Sequence, residues 1–176
     1  MTIKIDAICK NSKGFYGAEY EFEVKRSNSG YISADIDKVK ETLETNSECV
    51  FYNPGQLDDF IRINPEHFDF APGKLTLSNP GNNAFELRID GNIPINSLTS
   101  NLEWLTSWLD LKECVTILNK INKMGLVSFV ETYVELRESE LTALQSLSEV
   151  SEQISKKMAA LIQHIAALKQ WLFLNE

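Results

Sequence analysis

The chain has 176 residues, 43% apolar and 24% charged, an ordinary globular balance that excludes an intrinsically disordered protein. No apolar run approaches the ~18 residues needed to cross a bilayer as a helix, which argues against a membrane partner. Twenty-five acidic against 17 basic side chains give a net charge of −8, and without a patch dense in Lys and Arg direct nucleic-acid binding is disfavoured.

Ile3, Ile5 and Ala7 alternate with polar residues. In residues 18–25, Ala18, Tyr20, Phe22 and Val24 alternate with Glu19, Glu21, Glu23 and Lys25. A period of two turns one set toward a core and the other toward water. Asn11-Ser12-Lys13-Gly14 between them is turn material, which predicts an antiparallel hairpin. Asp6 stands where a secretory leader would be apolar, so the expectation is a cytoplasmic protein. Cys9, Cys49 and Cys114 are odd in number, widely spaced and free of any CxxC pattern. They predict neither a zinc site nor a disulfide framework, and Cys9 and Cys49 read as core fillers beside strand-like residues.

Ser33 is placed to cap a short helix with Asp35 and Asp37 in its first turn and Ile36, Val39 and Leu43 as its buried stripe. Three Asn-Pro turns follow, at Pro54, Pro65 and Pro80. Short strands are predicted around Phe68 and Phe70, Leu75 and Leu77, and Phe85, Leu87 and Ile89, with Asp90-Gly91 as a tight turn. All five prolines lie between Pro54 and Pro94, and seven of eight glycines lie at or before Gly91. Helix breakers thus stop where a helical pattern begins. The division predicts an α+β fold: a β-rich meander with one helix over residues 1–95, then a helical hairpin or coiled-coil stem over residues 96–176.

In that second part Leu98, Leu102, Leu105, Leu109, Leu118 and Ile121 predict a first helix of about 25 residues, with a capping box at Ser100 and Glu103, ending at Gly125. A second helical segment starts near Ser128, with Glu131 completing a capping box, and can run to Phe173. Unbroken it would extend ~70 Å. Ile154, Met158, Leu161, Ile165, Leu168 and Leu172 recur at spacings of 4, 3, 4, 3, 4, a heptad seam. Toward the start the spacing loosens, and Ser146 with Glu149 is a possible new cap, so one helix or two remain open. A first helix of about 25 residues cannot cover a partner of about 45, so unless the long segment folds back some seam is left uncovered, and an uncovered apolar strip is an association surface. Those six seam residues are therefore the candidate interaction surface, for a homo-oligomer or another protein.

Chemistry is sparse. There is no P-loop, no dinucleotide-binding glycine turn and no GxSxG elbow, and Gly14-Phe15-Tyr16-Gly17 is too short to cradle phosphate. The only imidazoles are His67 and His164. His67, near Asp58, Asp59, Glu66 and Asp69, is the one place where a metal or acid–base site could be built; a surface histidine beside a proline turn is the simpler reading. His164 flanks the seam. Asp35/Asp37 and Asp58/Asp59 pair as solvated loop acids do. The expectation is a non-catalytic interaction protein without cofactor or metal. An acidic inhibitor covering another protein's basic, nucleic-acid-binding surface and a small His67-centred enzyme or metal-binding domain are the alternatives.

Overall fold

The computed structural model describes residues 2–23, 25, 28–29, 36–53, 56, 74–81, 84–95 and 108–176. The expectations placed on Ser33, Asp35, Asp58, Asp59, His67, Phe68, Phe70, Leu98, Ser100, Leu102, Glu103 and Leu105 lie outside these residues. The fold is α+β. The first hairpin pairs β1 (Thr2–Asn11) with β2 (Gly14–Glu23) across the Ser12-Lys13 turn, in register from Thr2 opposite Glu23 to Asn11 opposite Gly14. Alternation sets its faces. Ala18, Tyr20 and Phe22 are half-buried while Glu19, Glu21 and Glu23 are exposed. Helix α1 (Ile36–Thr45) lays its Ile36, Val39 and Leu43 stripe inward, as its spacing predicts.

Strand β3 (Cys49–Tyr52) then pairs with β1, giving the sheet order β2-β1-β3. The second sheet is an antiparallel meander of β4 (Leu75–Gly81), β5 (Ala84–Ile89) and β6 (Ile93–Ile95). Its β5–β6 turn has both central residues at positive φ, Asp90 at 51° and Gly91 at 72°, and the Asn92 amide bonds the Ile89 carbonyl at 3.1 Å. This is the type I′ geometry whose twist suits a hairpin.

Helix α2 (Leu111–Met124) is capped by Asp110, whose carboxylate accepts the Glu113 amide at 2.7 Å while Glu113 reaches back to the Asp110 amide at 3.1 Å. This corrects the expectation for Leu109. Instead of lying on the helix, its backbone exchanges two hydrogen bonds with Phe85, at 2.7 and 2.8 Å, and extends the second sheet. Gly125, at a φ of 86°, ends α2 as expected and leads directly into α3 (Leu126–Gln145). Helix α3 therefore begins at Leu126, not near Ser128, and no side chain caps it. Ser128 sits inside its first turn, its carbonyl accepting from the Thr132 hydroxyl. The chain breaks over residues 146–151, and α4 (Glu152–Asn175) starts under a Ser151 cap rather than a Ser146 one. The long segment is thus two helices, and α4 folds back on α3.

The halves of the chain share one core. Ile8, Phe15 and Phe51 from the first sheet, Leu77, Phe85 and Leu87 from the second, and Leu118, Val130 and Leu168 from the helices belong to a single buried cluster. Phe51 and Phe85 meet edge to face at 5.5 Å where the sheets touch. A smaller cluster packs the opposite face of the first sheet, including Ile5, Ala7, Cys9 and Cys49, against Val39 and Leu43 of α1. Polar joints fix the layers. The Asn119 amide on α2 accepts from the Phe15 amide and donates to the Phe15 carbonyl, both at 2.8 Å, as a neighbouring strand would. A Cβ at Gly14, where φ is 123°, would stand 2.6 Å from the Asn119 Oδ1, so only glycine admits this approach.

Candidate functional site

The seam residues lie inside the chain. Leu161, Ile165 and Leu168 are buried, and Ile154, Met158 and Leu172 are partly buried against the same core. The fold-back of α4 provides the cover that α2 alone is too short to give. What the helices leave outside is a different set. Every large apolar side chain that is exposed among the described residues lies at or beyond Trp108: Trp108, Met124, Leu136, Leu147, Val150, Ile162, Phe173 and Leu174. Phe173 and Leu174 are 78% and 71% exposed. None lies in the described part of the two sheets.

Two of these border a groove between α2 and α3 with a cavity volume of about 640 Å³. Leu136, Phe129 and Tyr133 line one side and Met124 the other, with Lys120 and Lys123 on the α2 rim. Local geometry makes the groove. The turn at Gly125 joins two helices without a linker, so their side chains diverge from a common corner. On α3, Thr132, Leu136, Ser139 and Ala143 continue the groove as a strip of apolar and small residues. Glu131 and Glu135 lie exposed on the outer side of that strip. The groove is thus apolar with a basic rim and an acidic flank.

Behind it, α3 carries a buried polar cluster. The Arg137 guanidinium is fully buried, 2.9 Å from the Glu140 carboxylate and 5.1 Å over the Tyr133 ring. Tyr133 meets the His164 imidazole edge to face at 5.8 Å. His164 Nε2 lies 2.8 Å from the Pro94 carbonyl of β6, so Nε2–H donates there. Burial pushes the His164 pKa down; the Pro94 bond opposes the shift and Arg137 adds to it. Farther along α4, the Trp171 indole donates to Asp90 at 2.9 Å, and Lys169 pairs with Glu138 of α3. These bonds hold α4 to the second sheet and to α3.

A second, open depression beside the first sheet is bordered by Asp6, Glu19, Asp110 and Lys112. Its carboxylates are engaged: Asp6 accepts from Gln56 at 2.8 Å, Glu19 from Lys4 at 3.0 Å, and Asp110 caps α2. Among the described residues, no three of His, Cys, Asp and Glu are grouped to hold a metal ion. The possible site at His67 lies outside them. No described helix is long and apolar enough to cross a membrane. No protein-family model matches the chain, and neither a curated protein nor a solved structure shows detectable similarity to it.

Proposed function

We propose that this chain is a non-catalytic assembly protein of the cytoplasm that docks another polypeptide through the outer faces of its C-terminal helices. The observation that carries the reading is the distribution of exposed apolar side chains, all at or beyond Trp108 among the described residues. Scattered singly such residues need no explanation, but a groove with Met124 and Leu136 on its two sides concentrates them. The occupant that fits it is a helix with one apolar stripe and acidic flanks, to meet Lys120 and Lys123. The chain carries such a helix itself. Glu131 and Glu135 beside Leu136 on α3 have the required pattern, so a second copy packed through α3 is the first partner to test.

The experiment compares the full chain with Met124→Glu/Leu136→Glu and with Glu21→Lys/Glu23→Lys. Sedimentation velocity over about 1 to 100 µM reads self-association, and affinity capture reads other partners. The expected result is association that the helical-face pair abolishes and the β2 pair leaves intact. Association insensitive to the helical-face pair, or none in either measurement, would overturn the reading.

A second reading is an acidic cover for a basic surface. It is favoured by β2, an edge strand whose Glu19, Glu21 and Glu23 all face solvent. Binding of that kind weakens steeply between about 50 and 150 mM salt. Glu21→Lys/Glu23→Lys abolishes it, the reverse of the outcome expected for helical docking.

A further inference from the structure

Cys9 and Cys49 occupy opposite positions on adjacent antiparallel strands. Cys9 pairs in register with Cys49, whereas the preceding pair is Ile8 with Phe51. Val50 is thus the extra residue of a β-bulge. Without it Cys9 would face Val50. The bulge puts both thiols on the face packed by α1, where they share one buried cluster with Val39 and Leu43. Directly opposite residues of an antiparallel pair have Cα atoms about 4.5 to 5.5 Å apart. Disulfides span Cα separations of about 4.4 to 6.8 Å. The register therefore places the two Cα atoms within the range of separations that a disulfide spans. Cys114, in contrast, belongs to the other cluster, on α2.

We propose that Cys9 and Cys49 form a reversible redox pair, closing to a cross-strand disulfide when the chain meets a small-molecule disulfide such as oxidised glutathione. One protein thiolate attacks the small disulfide and expels a thiolate. The other protein thiolate then attacks the protein sulfur of the mixed disulfide and expels the second. Two electrons pass from the protein sulfurs to the small disulfide, the two thiol protons end on the released thiolates, and the products are one Cys9–Cys49 bond and two small thiols. The bond clamps β3, a four-residue edge strand, to the central strand of its sheet.

Access sets the rate. All three cysteines are buried and free. Burial pushes the Cys49 thiol up to about 12, with the Cys9 thiol beside it as the next cause. A thiol so rarely ionised is a slow nucleophile while the sheet is closed. Exchange therefore proceeds when β3 parts from β1, which its edge position and short length allow. The pair is a sensor of sustained oxidation, not of brief pulses.

The test equilibrates the full chain in glutathione buffers from fully reduced to fully oxidised, with parallel samples refolded from urea in the same buffers to remove the barrier of burial. The expected result is a mass loss of about 2 Da, without added glutathione, in wild type and Cys114→Ser. Peptide mapping under non-reducing conditions joins Cys9 to Cys49. The oxidised chain melts several degrees, roughly 5 °C or more, above the reduced one, as closing the loop from Cys9 to Cys49 predicts. Cys9→Ser and Cys49→Ser give no internal disulfide. The proposal is overturned if native and refolded wild type both keep three thiols in the most oxidising buffer. A bond that includes Cys114, or an oxidised chain that melts below the reduced one, would sink it equally.

Discussion

The first sheet and the α3–α4 hairpin are both amphipathic, but they leave different chemistry outside. On β2 the outward positions are Glu19, Glu21 and Glu23. On the helices they include Leu136, Ile162, Phe173 and Leu174. The sheet packs apolar side chains on both faces and keeps charge at the positions it leaves to solvent, which also blunts the edge strand β2 against unwanted pairing. The helical region satisfies its own core and still presents apolar surface. Apolar side chains outside a completed core contribute little to the monomer's stability. The contrast therefore separates what holds the chain together from what is available to another chain.

The sharpest way to break this division is through the buried ion pair. If the inner face of α3 is purely structural, Arg137→Ala should destabilise the protein by about 3 to 5 kcal/mol, because it leaves the Glu140 carboxylate without its cation beside the core. Arg137→Met/Glu140→Leu should recover most of that loss. Urea denaturation at pH 7 reads both, and a single variant near wild-type stability would show that the pair is not desolvated as its geometry requires.

A comparison along α4 gives the next effect. Leu168 is fully buried on the seam, and Ile162 is half-exposed beside it. Leu168→Ala should remove about 2 to 5 kcal/mol, and Ile162→Ala no more than about 0.5 kcal/mol. Similar values for both would mean that the seam and the outer face are not distinguished by packing. The smaller loss at Ile162 makes it a suitable second site for disrupting association without unfolding.

The smallest effect is electrostatic. His164 has its pKa lowered in the folded chain, mainly by burial. The unfolded state therefore binds the proton more readily, and stability falls as pH drops below the ordinary histidine value of about 6.5. The loss continues until the folded imidazole itself titrates. His164→Gln keeps a donor for the Pro94 carbonyl but cannot titrate. Thermal melts between about pH 7 and pH 5 should show a shallower acid slope for the variant than for wild type. Equal slopes would place the acid sensitivity elsewhere.

Much of the fold was legible in local pattern. Strict alternation marked β2, spacing marked the α1 stripe, and Asp90-Gly91 marked its turn. Strand β3 was missed because Cys-Val-Phe-Tyr is buried at all four positions and so shows no alternation to read. Leu109 was misplaced because one residue can match a helical spacing and still pair as β backbone. The candidate surface was less legible. Met124, Leu136 and Ile162 carry no motif, and the only available signal was that Leu136 and Ile162 fall off the heptad pattern.

The amino-acid order alone determined where β1, β2 and α1 form, because periodicity, caps and turn residues act over a few neighbours. It also determined which stripe of α4 is greasy. Only the tertiary structure decided that α4 turns back at residues 146–151 and hides that stripe within its own chain. It likewise decided that a one-residue bulge sets Cys9 against Cys49. Both outcomes depend on which distant segments meet, and burial is a property of the meeting, not of either segment by itself.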